Sequence, residues 1–428
     1  MNGNKMKLIL ILCFILVATF CSDAEDLIQP EGETRWTGFR GNQGISHTDA
    51  INLPLTWSET ENIRWKIDLS GYGQSSPVVW DGRVYVTSSE GSMKETLIAQ
   101  AIDLTTGDII WTKRFNSSFM TDRLDMAAQA APTPVVDAEN VYAFFESGDL
   151  FAISHQGEKL WHRAFTEEYG AFMGNHEIGS SITQTDDAII LLIDHDGPSY
   201  LVSLSKRDGA NLWKRDREKR VSWTSPVVSK NKNSTKIIIS SNGIVEAYNS
   251  KTGEQIWYVE GVKKNTVSSP TITDKLVIVG SSQKGETLAI ERGGVGNVTE
   301  SHIHWKADIA SSFGSPLVHS GRVYFVNKVG VLSCLNLDTG EQLWTIRIGS
   351  PTWASPIAAG NYLYFFGKDG DTTVLHFPSK QLLVSKTDIL PSMNINFIAT
   401  ESRVYGVAAV NGFFLIRTGK RLICVGKP

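Results

Sequence analysis

Three short groups of residues in this chain have the types and spacing that could support chemistry. His176-Glu177 sets an imidazole beside a carboxylate, the pairing used in acid–base work and in metal binding. On an extended segment neighbouring side chains point to opposite sides, so the two are read as separate parts of a polar surface. Asp194-His195-Asp196-Gly197 follows the apolar run Ala188–Ile193 and lines up three potential ligands. That is metal-site chemistry, but it is also the composition of a turn, and the turn is the favoured reading. His302-x-His304, beside Trp305, puts two imidazoles on one strand face without a neighbouring carboxylate. No Cys-x-x-Cys or zinc spacing occurs among the 4 cysteines. Cys334 and Cys424 lie in strand-like apolar runs and read as buried small hydrophobes. No glycine-rich phosphate loop precedes a helix. No catalytic residue and no metal are therefore assigned.

The elements that must position these groups repeat. Gly, three residues and then Trp recurs as Gly107 to Trp111, Gly157 to Trp161, Gly209 to Trp213, Gly253 to Trp257 and Gly340 to Trp344. Trp65 and Trp305 keep the tryptophan after degraded turns. A small residue followed by Pro alternates with it: Ser76-Pro77, Thr133-Pro134, Ser225-Pro226, Ser269-Pro270, Ser315-Pro316 and Ser355-Pro356, with Ser180-Ser181 filling one gap. A fixed period of this size marks an array of units that cannot bury their own apolar faces. Within one unit, apolar and alternating runs separated by Gly-containing turns spell four antiparallel strands. The fold class is all-β, an eight-bladed β-propeller. Seven blades run from 76, 133, 180, 225, 269, 315 and 355, the seventh ending near Lys386 with Val384 at the tryptophan position. The eighth joins the N-terminal strand 62–67 to C-terminal strands within 396–425, which removes open sheet edges. Its innermost strand begins near Asn396 or near Val404. The tryptophans Trp65, Trp111, Trp161, Trp213, Trp257, Trp305 and Trp344 are assigned to docking blade on blade.

The first 24 residues read as an export signal: Lys5 and Lys7, an apolar run from Leu8 to Phe20, then small residues before Glu25. Lipid attachment at Cys21 is the weaker alternative, because bulky Phe20 stands where a small residue is wanted. Residues 25–61 form an extension that packs on the propeller, and 62–428 form the propeller itself. A formal charge of -4 over 428 residues lacks the basic face that a nucleic-acid partner would need. The mixed-charge stretch Lys206–Arg220 reads as a solvated edge. No later segment would span a membrane.

Ligand contacts on such a ring gather where loops lead into the innermost strands. Those positions are Gln74, Gln129, His176, Glu177, Trp223, Asn265, Phe313, Trp353 and Asn394. They mix aromatic, amide and charged groups, which suits a peptide or a small polar ligand.

The block Ile98-Ala99-Gln100-Ala101-Ile102-Asp103-Leu104-Thr105-Thr106-Gly107 through Trp111 resembles the PQQ-type repeat of pyrroloquinoline quinone propellers, and so does Leu335–Gly340 through Trp344. Trp36–Gly41, Trp57–Lys66 and Ile416–Gly419 are similar to the openings and closing of exported PQQ-like propellers. The resemblance spans about Trp36 to the C-terminus and implies fold more than function. One branch of that superfamily, the quinoprotein dehydrogenases, implies PQQ with calcium, clamped by adjacent cysteines. No Cys-Cys pair exists here. The other branch holds non-catalytic propellers of the BamB type. The expectation is an exported, periplasmic or secreted monomer without cofactor that binds a protein or peptide in the cell envelope. A PQQ-dependent oxidoreductase is the alternative.

Overall fold

The computed structural model describes residues 34–122, 128–231, 234–377, 392–398 and 403–427. Eight blades of four antiparallel strands stand in a ring, two of them extended by a short parallel strand. Blade one shows the plan: Val78–Trp80 innermost, then Arg83–Glu90, Thr96–Asp103 and Ile109–Asn116 at the rim. Burial grades outward along each blade. Ala188–Ile193, a middle strand of blade three, is buried along its whole length, whereas its rim strand Asn211–Arg217 is mostly exposed. Inner strands meet neighbouring blades on both faces, so their sequence is a continuous apolar run rather than an alternating one. The core is accordingly a series of layers between adjacent blades, such as that of Ile190, Leu192, Leu201, Trp213, Ile237 and Ile239 between blades three and four.

Both recurring phrases connect blades. The indole N–H groups of Trp65, Trp111, Trp161 and Trp213 donate to the carbonyls of Leu104, His155, Lys206 and Ser250 in the following blade, each at 3.0 Å. Trp305 does the same to Leu337 at 2.8 Å. Among the described residues the indole N–H groups of Trp257 and Trp344 find no acceptor. The blade-five turn that faces Trp257 is replaced by a longer connection between Thr287–Glu291 and Ile303–Ala307, in which Gly296–Asn297 pairs parallel to Trp257–Tyr258. At the centre, the hydroxyls of Thr133, Ser181, Ser225, Ser269 and Ser315, each but Ser181 followed by Pro, accept the backbone N–H of the counterpart one blade back. Ser76, Thr133, Ser181, Ser225, Ser269 and Ser315 form this chain at 2.8–3.1 Å. The following Pro has no N–H to satisfy at that crowded point.

The eighth blade orders its strands as Ile63–Asp68, Arg421–Gly426, Phe413–Arg417 and Gly406–Val410. Its innermost strand therefore follows Val404 and not Asn396. The rim strand of blade seven is Ser392–Phe397, paired with Asp371–His376, so that blade runs past Lys386. The tryptophan-like Val384 lies outside the described residues. Gln342–Arg347 and its relatives follow their turns within a few residues. The longer connection in blade seven has no turn phrase near Ser392, which is why the period misplaced this boundary.

Residues 34–48 run across the turn-side opening of the central channel. Trp36 and Val79 exchange backbone hydrogen bonds, and His47–Thr48 joins the inner strand Ile357–Ala359 of blade seven in parallel. Between these, Arg40 is buried on the opposite side of the ring. Its guanidinium donates to the Pro270 carbonyl at 2.8 Å, to Pro316 O at 3.1 Å and to the hydroxyls of Thr271 and Ser46. With no ion-pair partner among the described residues, burial lowers its pKa to about 9. Farther on, Asn396 of blade seven donates to Leu55 O and accepts from the Trp57 N–H, both at 3.1 Å. Among the described residues no helix is long and apolar enough to cross a membrane.

Candidate functional site

In every blade the loop into the innermost strand and the hairpin between the second and third strands lie at one end of the sheet, because successive strands run antiparallel. Eight such pairs of loops surround one mouth of the channel, which divides into a polar half and an aromatic half.

The polar half spans blades one to three. Gln74 and Gln129 hold each other: Gln74 donates its backbone N–H to Gln129 O at 3.1 Å and accepts the Gln129 N–H on its side-chain oxygen at 3.2 Å. Glu177 is ion-paired with Lys94 and accepts the Thr121 hydroxyl at 2.5 Å. Lys94 comes from the hairpin of blade one; its buried ammonium also donates to Ala128 O at 3.0 Å and lies 3.7 Å from Glu146 of blade two. Burial pushes the Glu146 carboxyl up to about 7; Lys94 opposes the rise and Glu177 adds to it. Lys94, Ala130 and Glu177 all take positive φ, so this cluster is held in conformations that L residues adopt rarely. His176 turns away from Glu177 and stands edge-on to Trp223 at 5.6 Å, whose indole N–H donates to Glu177 O at 2.9 Å. The imidazole and the carboxylate do not face each other.

The aromatic half spans blades six to one. Phe313 is 43% exposed and lies 5.4 Å from Trp353. Trp353 lies 5.7 Å from Tyr405, and Tyr405 meets Tyr72 edge-on at 6.1 Å with their hydroxyls 2.5 Å apart. These are the offset and edge geometries that rings prefer.

Two of the proposed mouth residues sit elsewhere or are spent on structure. Asn394 is exposed on the rim strand of blade seven, opposite Val374; the register of the last blade misplaced it. Asn265 is fully buried and ties its own loop, donating to Ser240 Oγ at 3.0 Å and Ile244 O at 3.2 Å and accepting from Gly243 N–H at 3.0 Å. Asp194, His195 and Asp196 do not converge as metal ligands. Asp194 is buried against Arg217 at 3.1 Å. His195 accepts the Met173 N–H at 2.9 Å on Nδ1 and donates from Nε2 to Pro198 O at 3.0 Å, leaving no nitrogen free. Asp196 faces Lys219. Arg217 also reaches Glu246 and the Tyr248 hydroxyl, so one member of the supposed solvated edge is a buried link between blades three and four. His302 ends the short helix Thr299–His302 while His304 lies in the strand Ile303–Ala307, which separates that pair.

Tyr72, Tyr405, Lys94 and Glu146 are the mouth residues that loop spacing missed. Tyr405 precedes an innermost strand whose start the sequence left open. Lys94 and Glu146 belong to the second family of loops, which shares the same end of each blade.

Among the described residues no group of three His, Cys, Asp or Glu converges. Cys334 and Cys424 are buried, lie in different blades and form no disulfide. This donor set does not fit PQQ with calcium.

Comparison with known proteins agrees with the architecture. A crystal structure of BamB from Moraxella catarrhalis superposes with a TM-score of 0.60 at 15% identity, covering 85% of this chain and 99% of that one. Quinohemoprotein alcohol dehydrogenase from Comamonas testosteroni gives 0.64 at 12% identity, covering 92% and 81%. At such identities the likeness is one of fold. In sequence, the outer membrane protein assembly factor BamB of Yersinia pestis is 25% identical over 256 residues, 58% of each chain. The chain spans about half the length of the curated relatives it matches. The family model described as outer membrane protein assembly factor BamB matches residues 55–174 and 173–381, and the chain belongs to that PQQ-like propeller family.

Proposed function

We propose that this protein is an exported, non-catalytic propeller that binds a protein or peptide partner in the cell envelope through the channel mouth and the blade edges. The observation that carries this reading is the commitment of the mouth's acids. Glu177 and Glu146 are engaged by Lys94, and His176 packs on Trp223, so neither carboxylate is offered to that imidazole for acid–base work. The mouth also presents aromatic surface, with Phe313 exposed and Trp353 half-buried beside it, the kind of residue enriched in protein interfaces. The role named for the relatives, assembly of outer membrane proteins, is the setting that fits such a scaffold.

The test is a photoreactive residue placed in the cell at Phe313 in the mouth and at Ile110 and Leu160 on the rims, all exposed. Discrete adducts with envelope proteins are expected. Absence of adducts from every position in correctly folded protein would sink the reading. Mixing the pure protein with PQQ and calcium is expected to leave the quinone spectrum unchanged; a bound quinone that turns over an alcohol would replace this function with an oxidoreductase.

A further inference from the structure

The lysines beside the aromatic half of the mouth add a second chemistry. Loops of blades five and six are stitched together there. Ser281 Oγ donates to Lys263 O at 2.5 Å, Ser282 N to Lys264 O at 3.1 Å, and Ser311 N to Ser281 O at 2.7 Å. Ser312, next to Phe313, donates its N–H to Val326 O at 2.9 Å, two residues before Lys328. Lys263, Lys264 and Lys328 are exposed and make no ion pair among the described residues. The nearby acids do not neutralise them: Asp308 is paired with Lys284 at 2.8 Å, and Glu286 is half-buried. On a chain of net charge -4, three uncompensated ammonium groups at the end of an exposed aromatic arc are a local reversal of sign.

Resting on the protein-binding reading above, we propose that blades five to one of the mouth bind an extended peptide carrying both aromatic side chains and carboxylates. Its rings lie against Phe313 and Trp353, and its carboxylates meet Lys263, Lys264 and Lys328. An extended chain rises about 3.3 Å per residue, so ring and acid only a few positions apart reach both surfaces. Aromatic anchors supply affinity by excluding water. Exposed lysines supply steering and sign selectivity, which salt weakens.

The experiment is calorimetric titration of the mature protein with a blocked peptide of Glu-Gly-Phe repeats, beside Lys-Gly-Phe and Glu-Gly-Ala repeats. The first is expected to bind, and to bind about tenfold or more tightly than either control. Trp353→Ala, and separately Phe313→Ala, should weaken it about tenfold. Lys263→Glu with Lys264→Glu should weaken it comparably and remove its salt dependence, with circular dichroism unchanged. Equal binding of Lys-Gly-Phe overturns the charge assignment. Equal binding of Glu-Gly-Ala makes the patch a general polyanion surface and overturns the proposal, as does indifference to the ring substitutions in folded protein. If the peptide fails while photoadducts form at Ile110 or Leu160, this inference falls and the binding function stands. If no position yields an adduct, the binding function itself falls.

Discussion

Trp65 closes the ring onto Gly107. Its indole, on the rim strand of the last blade, donates to Leu104 O at 3.0 Å, and a Cβ on Gly107 would stand 2.8 Å from the ring. Gly107 also holds φ at 80°. The glycine of the recurring phrase thus meets two demands, a left-handed turn and a flat neighbour. Gly107→Ala is expected to destabilise by about 2–3 kcal/mol, since strain and overpacking act together. Gly360→Ala, at φ 55° with open space around it, should cost about 1 kcal/mol. Urea unfolding midpoints of the two variants decide it; equal losses would remove the packing half of the explanation.

The hydroxyl chain at the centre makes a sharper demand. Ser225 Oγ accepts the Ser181 N–H at 2.9 Å, while the Ser225 N–H goes to Ser269 Oγ at 2.8 Å. Ser225→Ala strands a buried N–H and is expected to destabilise by about 1–3 kcal/mol. Ser225→Thr keeps the acceptor, as Thr133 does at the same place in blade two, and should recover most of the loss. Thermal midpoints of both variants against the parent provide the check, and an equal drop in each would point to side-chain volume instead.

The Lys94 cluster gives folding a pH signature. Glu146 titrates near 7 when folded, against an ordinary value of 4.5. A carboxyl raised in this way holds its proton longer in the folded state. Its contribution is therefore fully present below about pH 4.5 and declines as pH rises to about 7, by up to about 3 kcal/mol. Glu146→Gln keeps an acceptor for the Ala130 N–H, which Glu146 now takes at 2.8 Å, and cannot titrate. Urea midpoints at pH 5 and pH 8 should differ less in the variant, with Lys94 and Glu177 left in place. Identical differences would place the titration elsewhere.

Cys334 and Cys424 are buried and form no disulfide, and burial pushes the Cys424 thiol up to about 12. Neither should react with a thiol reagent in the native protein, because the thiolate is the reactive form. Both should react on unfolding in denaturant without reductant. Labelling of Cys424 in native protein, or a disulfide surviving denaturation, would contradict the packing.

Loss of the Arg40 side chain should free the segment that covers the channel. Arg40→Ala leaves the Pro270 carbonyl without its guanidinium donor and leaves Pro316 O with the Thr271 hydroxyl alone, a loss of about 1–3 kcal/mol, the usual cost of a buried unpaired group. Hydrogen exchange at Trp36 and Ser46, whose amides are bonded in the parent, is expected to accelerate more than at Ile190 in a central blade. Uniform acceleration would mean that Arg40 supports the whole ring and not this segment.

The ring was legible because its two phrases each answer a local physical need that repeats with every blade. Gly253 can be found from sequence alone, since only glycine fits both its turn and the Trp213 ring, 2.5 Å from a notional Cβ. The role of the hydroxyl in Ser-Pro was not legible, because the partner that gives it meaning is some 45 residues away in the next blade. The mouth was half legible. Phe313 and Trp353 stand where counting from the innermost strands puts them. Tyr405 escaped because the last blade is assembled from two ends and keeps no period. Lys94 escaped because an ion pair spanning Lys94 and Glu177 leaves no pattern at short range.

Ile63–Asp68 is made long before its partner Arg421–Gly426. The circle can be finished only once that later strand has been made. Until then the earliest strand waits without its mate, exposed to pairing with other chains. Synthesis thus contains an interval in which the ring stands open, and a premature stop within Arg421–Gly426 would leave a crescent with two unmatched edges.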